Sequence, residues 1–236
     1  MTEPLVFLPG MMCDARLFGP QIAALSADHA VMTVPISNSD RISEIASYVL
    51  EQAPEKFALA GLSMGGVVAM EVMRRAPDRV RRIALMDTNP LAETPQSAAT
   101  YEPMIVGVRT GKMAKVMRDF MRPEYLAPGP HRSEILELTM DMALNNGPDV
   151  FERQARALQR RRDQQSTLRK CKVPALVLCG EHDGLTPVKR HTFMAELIPY
   201  AKLEVIGDAG HLPTLEQPDA TTAALRQWMK QPFVLR

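Results

Sequence analysis

The chain has 236 residues, of which 46% are hydrophobic and 23% are charged, and this balance is typical of a globular protein. The formal net charge of +1 gives no reason to expect nucleic acid or an anionic membrane as a partner. No apolar run approaches the ~18 residues of a membrane span, and the first residues do not resemble a secretion signal. The low net charge favours a small-molecule substrate. The three cysteines show no metal-ligand spacing and fit a reducing compartment, so we expect a cytoplasmic protein.

Short apolar runs recur along the chain, with helix-like segments between them. Continuous runs of this kind are typical of parallel strands that are covered on both faces. The sequence therefore predicts the α/β class, with a doubly wound, mostly parallel sheet. The predicted strands are Leu5–Leu8, Val31–Val34, Phe57–Ala60, Ile83–Met86, Ala175–Leu178 and Leu203–Ile206.

Three helices are predicted beside these strands. The first follows Asp40, which we expect to cap it, and apolar residues recur from Ile42 onward at positions i, i+3, i+4 and i+7. The second begins at Ser63 and ends near Pro77, and the third begins at Pro218.

The strand pattern stops after Thr88 and resumes at Val173. We interpret residues 88–168 as a helical cap inserted between two strands of a core formed by 1–87 and 169–236. The four helices predicted in the cap are roughly Thr94–Arg109, Lys112–Met121, Arg132–Leu144 and Asp149–Arg162.

Two features of the cap allow more than one interpretation. Many of the chain's 16 methionines lie there; helix packing explains most of them, although methionine also adapts to varied apolar ligands. The basic run from Arg160 to Arg162 is best interpreted as a solvated helix face or as a complement to the dipole at the helix C-terminus, and an anion site is the weaker alternative.

The stretch Gly61-Leu-Ser-Met-Gly-Gly66 places a serine among glycines where a predicted strand turns into a predicted helix. Ser63 would stand at the carboxyl edge of the sheet, where doubly wound sheets bind ligands. A Cβ atom at Gly61 or Gly65 would crowd such a turn. The pentapeptide alone is short enough to arise by chance, so its interpretation depends on the partners of Ser63.

A serine nucleophile needs a base, a group that orients the base, and donors for the oxyanion. Among the five histidines, His211 lies in a short glycine-containing loop directly after an apolar run, at the same edge as Ser63, while His182 beside Asp183 is interpreted as a loop residue. His29 precedes a strand, His131 lies in the insertion, and His191 falls within a helix pattern.

For the orienting acid, we rank Asp183 first and Asp87 second, since each follows a predicted strand at the carboxyl edge. Glu181 beside Asp183 is a weaker alternative. Asp208 is close to His211 in sequence, but we expect it to turn its own loop.

These motifs resemble the α/β-hydrolase family, which shows a Gly-x-Ser-x-Gly turn, a later acid and a final histidine in that order. Here the order is Ser63, Asp183, His211, and the resemblance covers essentially the whole chain, with the insertion in the place of the family's helical cap. It implies the α/β-hydrolase fold and a catalytic triad of these residues.

The resemblance also implies an oxyanion hole made of the backbone N–H groups of Met11 and Met64. In the corresponding loop, Pro9 stands where the family usually has histidine. This departure puts the hydrogen bonds that support the loop in doubt.

The function implied is a serine hydrolase that cleaves carboxylic esters of small or medium, mainly apolar substrates through an acyl-enzyme, without a metal or cofactor. The same triad acting on thioesters, lactones, perhydrolysis or C–C bonds next to a carbonyl is an alternative. A non-catalytic ligand sensor on a hydrolase fold is an alternative of another class. The sequence gives no indication of the oligomeric state.

Overall fold

A computed structural model describes residues 3–233 of the chain, and its centre is a parallel β-sheet. The strands are β1 (Leu5–Leu8), β2 (Val31–Thr33), β3 (Phe57–Leu62), β4 (Val80–Met86), β5 (Ala175–Gly180) and β6 (Ala201–Ile206). Their order in the sheet is β2-β1-β3-β4-β5-β6, and all neighbours pair in parallel. The predicted fold class is confirmed.

Helices occupy most of the remaining chain between residues 3 and 233. They are α1 (Gly19–Leu25), α2 (Ile42–Gln52), α3 (Met64–Arg75), α4 (Pro95–Ala99), α5 (Tyr101–Arg109), α6 (Met113–Phe120), α7 (Arg132–Asn146), α8 (Pro148–Gln159), α9 (Gln165–Arg169), α10 (Val188–Leu197), α11 (Pro213–Glu216) and α12 (Pro218–Met229). Within the same residues, no helix is both long enough and apolar enough to cross a membrane.

Each face of the sheet is covered by its own set of helices, which explains why β1, β3 and β5 are buried and apolar along their whole length. Along β1, Leu5 and Phe7 belong to one buried cluster, while Val6 and Leu8 belong to the other. Helices α1 and α12 contribute to the first cluster, and α2, α3 and α10 contribute to the second. Alternate side chains therefore serve opposite layers.

Helices α4 to α9 lie between β4 and β5, where the sequence predicts a cap. Within this group α5 contacts α6 and α8, and α7 contacts α6 and α8, while α9 contacts α3 and α10 of the core. The limits 88–168 stay a prediction, and positions 1–2 and 234–236 of the predicted core lie outside the described residues.

The predicted cap of α2 is wrong. The helix begins after Arg41, which makes no side-chain capping bond, and the carboxylate of Asp40 instead pairs with Arg160 at 2.6 Å. Asp40 therefore ties the loop before α2 to the end of α8.

The predicted helix Thr94–Arg109 is two helices, α4 and α5, which meet at Thr100. Thr94 and Ser97 form a capping box that starts a short turn, and the hydroxyl of Thr100 donates to the carbonyl of Ser97 at 2.6 Å. Helices α1, α9 and α11 were not predicted, because segments of four to seven residues carry too little periodicity.

Candidate active site

Ser63 occupies the sharp turn between β3 and α3. Its backbone has φ 54° and ψ −117°, a conformation that is costly for any residue with a Cβ atom. A Cβ at Gly61 would lie 2.3 Å from the carbonyl oxygen of Gly65, and a Cβ at Gly65 would lie 2.0 Å from that of Leu8. Only glycine fits at either position, so these glycines allow the strand and helix to hold Ser63 at the carboxyl edge of the sheet.

The structure brings Ser63, His211 and Asp183 into one chain of hydrogen-bond contacts. Nε2 of His211 lies 3.1 Å from Oγ of Ser63, and Nδ1 of His211 lies 2.9 Å from Oδ2 of Asp183. His211 and Asp183 are both buried, and they follow β6 and β5 respectively. The two loops thus converge on the turn after β3.

Asp183 is a buried carboxylate with four donors around it. Oδ1 accepts the N–H groups of Leu185 at 2.8 Å and Thr186 at 2.9 Å, and Oδ2 accepts the Thr186 hydroxyl at 2.6 Å. Burial opposes ionisation, but the charge and hydrogen bond of His211 and the bonds from Thr186 outweigh it and lower the pKa of Asp183 to about 2. An ionised Asp183 favours the proton on Nδ1 of His211, which leaves Nε2 to accept from Ser63.

Asp87, the second choice for the acid, lies at the end of β4 and makes no hydrogen bond to His211. Its Oδ1 accepts the N–H of Gly180 at 3.0 Å, and Oδ2 has no partner among residues 3–233. Burial and then the charge of Asp183 raise the pKa of Asp87 well above its usual value, which favours the neutral acid.

Asp87, Asp183 and His211 offer atoms of the metal-ligand type that lie within 4.8 Å of one another. The 2.9 Å contact between His211 and Asp183 is a hydrogen-bond distance, and we expect a proton there.

The other candidate residues from the sequence do not contact Ser63; they are exposed, turn a loop or contact a backbone carbonyl. Glu181 is exposed and lies 3.9 Å from His182, and Asp208 turns its loop with φ 52°. His29, which precedes β2, contacts the backbone carbonyl of Glu3, and His131 is on the exposed surface of the cap.

The N–H groups of Met11 and Met64 make no hydrogen bond to another residue within 3–233. Met64 is the first residue of α3, so its N–H has no acceptor inside the helix and lies at the positive end of the helix dipole. Met11, Met64 and Ser63 line one cavity of about 310 Å³. Unclaimed donors beside a serine are what a developing oxyanion requires.

On the cap side of this cavity, polar side chains lie beside the apolar Phe120 and Leu158. Arg161 pairs with Glu93 at 2.9 Å, and their side chains are only 11% and 10% exposed. The predicted solvated helix face is therefore wrong for Arg161: α8 already ends at Gln159, and the chain beyond it turns Arg161 into the cavity while Arg160 stays at the surface.

Some methionines of the cap pack in the core, and others line a space beside Ser63. Met117 and Met121 line a small space of about 30 Å³ beside Ser63 and His211. Met142 is fully buried in a core cluster, as helix packing predicts.

Comparison with known proteins decides the family. Residues 5–225 match the sequence model of the alpha/beta hydrolase family. The chain belongs to that family. The predicted resemblance is confirmed over nearly the whole length of this α/β hydrolase.

Among curated proteins, this α/β hydrolase is similar to enzymes called pimeloyl-[acyl-carrier protein] methyl ester esterase. That of Pectobacterium carotovorum subsp. carotovorum is 28% identical over 242 residues, covering 92% of this chain and 91% of that protein. That of Vibrio parahaemolyticus is 23% identical over 249 residues, covering 95% and 93%.

Solved structures share the fold. A thermophilic esterase from Thermogutta terrifontis superimposes with a TM-score of 0.88 at 24% identity, covering 99% of this chain and 92% of that one. The enol-lactonase from Burkholderia xenovorans LB400 gives a TM-score of 0.86 at 23% identity, covering 98% and 93%.

Gln154 of α8 is a supporting residue of this α/β hydrolase that sequence reasoning missed. Its Oε1 accepts the N–H of Met12 at 2.8 Å, and its Nε2 donates to the carbonyl of Ile36 at 3.1 Å. The loop that carries Met11 is therefore supported by a side chain of the cap, although Pro9 stands in the position of the family's histidine.

A sequence signal for Gln154 did exist. The residue is 1% exposed and shares the buried stripe of α8 with Phe151, Ala155 and Leu158. A polar side chain in an apolar helical stripe must find partners inside the protein.

Glu216 holds the loop that carries His211, and this role was also missed. Its two oxygens accept three backbone N–H groups at 2.7 to 2.8 Å, those of Ala127, Gly210 and Leu212. The N–H of His211 itself donates to the carbonyl of Tyr125 at 2.7 Å. One carboxylate thus positions both sides of the histidine.

His191 supports the nucleophile through Thr88. Nε2 of His191 accepts the N–H of Thr88 at 3.0 Å, and the Thr88 hydroxyl donates to the carbonyl of Ser63 at 2.7 Å. Burial lowers the pKa of His191 to about 4, so the ring is neutral and can accept this bond. His191 lies within α10, as predicted, and its role there is structural.

Proposed function

We propose that this protein is a serine hydrolase that cleaves carboxylic esters through an acyl-enzyme intermediate. The observation that carries the proposal is the contact chain from Ser63 Oγ to His211 Nε2 at 3.1 Å and from His211 Nδ1 to Asp183 Oδ2 at 2.9 Å. The names of the curated relatives support ester hydrolysis as the chemistry.

In the first half of the reaction, Ser63 attacks the ester carbonyl carbon while Nε2 of His211 takes the hydroxyl proton. The N–H groups of Met11 and Met64 donate to the carbonyl oxygen as it becomes negative. Asp183 offsets the charge of the protonated imidazole. The tetrahedral intermediate collapses when His211 gives its proton to the leaving alcohol oxygen.

In the second half, water attacks the acyl carbon of the Ser63 ester. His211 takes one proton from this water and returns it to Oγ of Ser63, which releases the carboxylic acid. One ester and one water thus become one acid and one alcohol, and no metal or cofactor enters the balance.

Labelling with a fluorophosphonate probe tests the machinery. We expect one adduct by intact mass, mapped to Ser63 and lost in Ser63→Ala and His211→Ala. Ser97→Ala is a matched control, because Ser97 lines the same cavity and its loss leaves the adduct in place.

Turnover of small esters tests the reaction itself. We expect kcat/KM to fall by ~10⁴-fold or more in Ser63→Ala. Equal rates in wild type and Ser63→Ala contradict the proposal. A panel of thioesters, lactones, peracid formation and β-diketones separates ester cleavage from the other reactions of such a triad, and ligand-induced stabilisation without any turnover would indicate a sensor.

A further inference from the structure

The cavity beside Ser63 contains a polar cluster that ester cleavage itself does not need. The cluster faces the cap side of the space of about 310 Å³ and consists of Asn89, Glu93, Ser97, Tyr101 and Arg161. Since it shares the cavity with the nucleophile, a bound substrate meets these side chains.

Arg161 is held on two sides and open on a third. Its Nε donates to the carbonyl of Leu91 at 3.0 Å, and its Nη2 lies 2.9 Å from Oε1 of Glu93. Nη1 makes no hydrogen bond to any residue between 3 and 233. The guanidinium therefore offers two N–H groups in a fixed place, which is the geometry that a carboxylate accepts.

The neighbours of Arg161 also have donors to spare. The Tyr101 hydroxyl lacks a partner in the described part of the chain, and burial, followed by the charge of Glu93, raises the pKa of Tyr101 to about 12, so it keeps its proton. Asn89 uses its Oδ1 to accept the N–H of Leu91 at 3.1 Å, while its amide nitrogen bonds to nothing within residues 3–233.

The acceptors of the cluster are already engaged. Oε1 of Glu93 faces Arg161, and Oε2 accepts the hydroxyl of Ser97. A cationic ligand group would meet the two oxygens of Glu93, which already have donors, and a hydrocarbon chain placed against the cluster would leave the free N–H groups of Arg161 and Asn89 without acceptors, at a cost in free energy. An oxygen-rich anion matches the donors that remain.

The position of His211 indicates which half of an ester reaches this cluster. His211 must protonate the leaving alcohol, and it lines the separate space of about 30 Å³, together with Gly10 and Leu212. The alcohol therefore leaves on that side, and the acyl half occupies the larger cavity that contains Arg161.

We propose that Arg161, with Tyr101 and Asn89, binds a carboxylate at the far end of the acyl half, so that the preferred substrates are monoesters of dicarboxylic acids. Glu93 holds the guanidinium in place and balances its charge in the absence of substrate. This proposal rests on the proposed function and names the substrate class of the same site.

The test compares monomethyl esters of dicarboxylic acids of four to seven carbons with methyl esters that carry a neutral primary amide in place of the free carboxylate. Proton release at constant pH gives kcat/KM for each pair. We expect wild type to prefer the carboxylate by ~10-fold or more at the best chain length, since hydrogen bonds to charged groups are the stronger class. Arg161→Gln should bring this preference close to one, mainly through KM.

Two further variants make the comparison specific. Glu93→Gln combined with Arg161→Gln keeps the pair neutral and avoids a buried unpaired carboxylate, and it should also lose the preference. Arg160→Gln removes the same charge one residue earlier, where the side chain is 51% exposed and pairs with Asp40, and it should keep the wild-type preference.

The outcomes separate this proposal from the proposed function. A wild-type preference near one, or one that survives in both Arg161 variants, overturns the carboxylate site, while hydrolysis of methyl acetate that depends on Ser63 leaves the esterase proposal standing. If no ester is cleaved, calorimetry with the free dicarboxylates decides: binding by wild type and loss in Arg161→Gln supports the site, and any other result overturns it.

Discussion

The edge of the sheet and the cap meet at Ser63, and they are built in different ways. At the edge, short loops hold Ser63, His211 and Asp183 through hydrogen bonds from their backbone N–H groups and through close glycine contacts. Across the cavity, the cap presents long side chains such as Arg161 and Tyr101 that extend from loops and helices. Under the proposed function, the edge would position the groups for bond cleavage, and the cap side would select the substrate.

This division predicts that changes at the edge lower kcat most. Asp183→Asn removes the charge that supports protonated His211, and we expect kcat to fall by roughly 10³ to 10⁴-fold in steady-state ester turnover.

Asp87→Asn is the matched control at the neighbouring strand. The amide oxygen of the variant still accepts the N–H of Gly180. The charge beside His211 comes from Asp183, which is unchanged, so we expect kcat to stay within a few-fold of wild type. Comparable losses in both variants would mean that the two carboxyls act together and that the assignment to Asp183 alone is wrong.

Gln154 is where the cap reaches into the edge, and it should give an intermediate effect. Gln154→Leu removes the acceptor of the Met12 N–H, so we expect the adjacent N–H of Met11 to lose its alignment and kcat to fall by ~10 to 100-fold with KM little changed.

Arg153→Gln serves as the control for Gln154→Leu. From the same helix, Arg153 donates to the carbonyl of Ser37 at 2.9 Å, and within residues 3–233 it makes no hydrogen bond to Met12. If the two variants lose kcat equally, the effect of Gln154 reflects cap packing and not the loop of Met11.

The smallest expected effect is on the pH dependence of the free energy of unfolding, through the carboxyl of Asp87. The pKa of Asp87 is raised in the folded protein, so its contribution to stability is complete below the unfolded value of 3.8 and is lost as the pH rises through the folded value. The Asp87→Asn variant has no titratable group at this position, so its stability does not change with pH through this position. We expect its free energy of unfolding relative to wild type to increase between pH 4 and pH 8, measured by urea denaturation.

Asp183 should behave in the opposite sense. Its folded pKa of about 2 lies below the unfolded value of 3.8, so its contribution is present above pH 4 and is lost as the pH falls toward 2, by about 2 kcal/mol. A difference between Asp87→Asn and wild type that shrinks toward pH 8 would contradict the opposite shifts of these two carboxyls.

The edge of the sheet was predictable from the sequence because each of its residues follows a strand. Ser63, Asp183 and His211 come directly after continuous apolar runs, and parallel strands bring their carboxyl ends together. The cap was not predictable to the same depth. Helical periodicity indicates a buried face, but it does not show that α8 ends at Gln159 or that the second arginine of a run turns inward.

Glu216 and Gln154 were missed for a related reason. Their partners are backbone N–H groups of loops that are distant in sequence, 89 residues from Glu216 to Ala127 and 142 from Gln154 to Met12. Such pairings depend on tertiary contacts that periodicity and motif spacing do not describe.

The hydrogen bonds of Glu216 restrict how the site can open. The segment 125–127 of the cap is tied to the base through two bonds, from the His211 N–H to the carbonyl of Tyr125 and from the Ala127 N–H to Glu216. An outward movement of segment 125–127 would pull His211 away from Ser63 and break the contact between the two side chains. Helices α4 and α5 make no hydrogen bond to Glu216 or His211 among residues 3–233, so a displacement of these two helices would leave the contact between Ser63 and His211 in place.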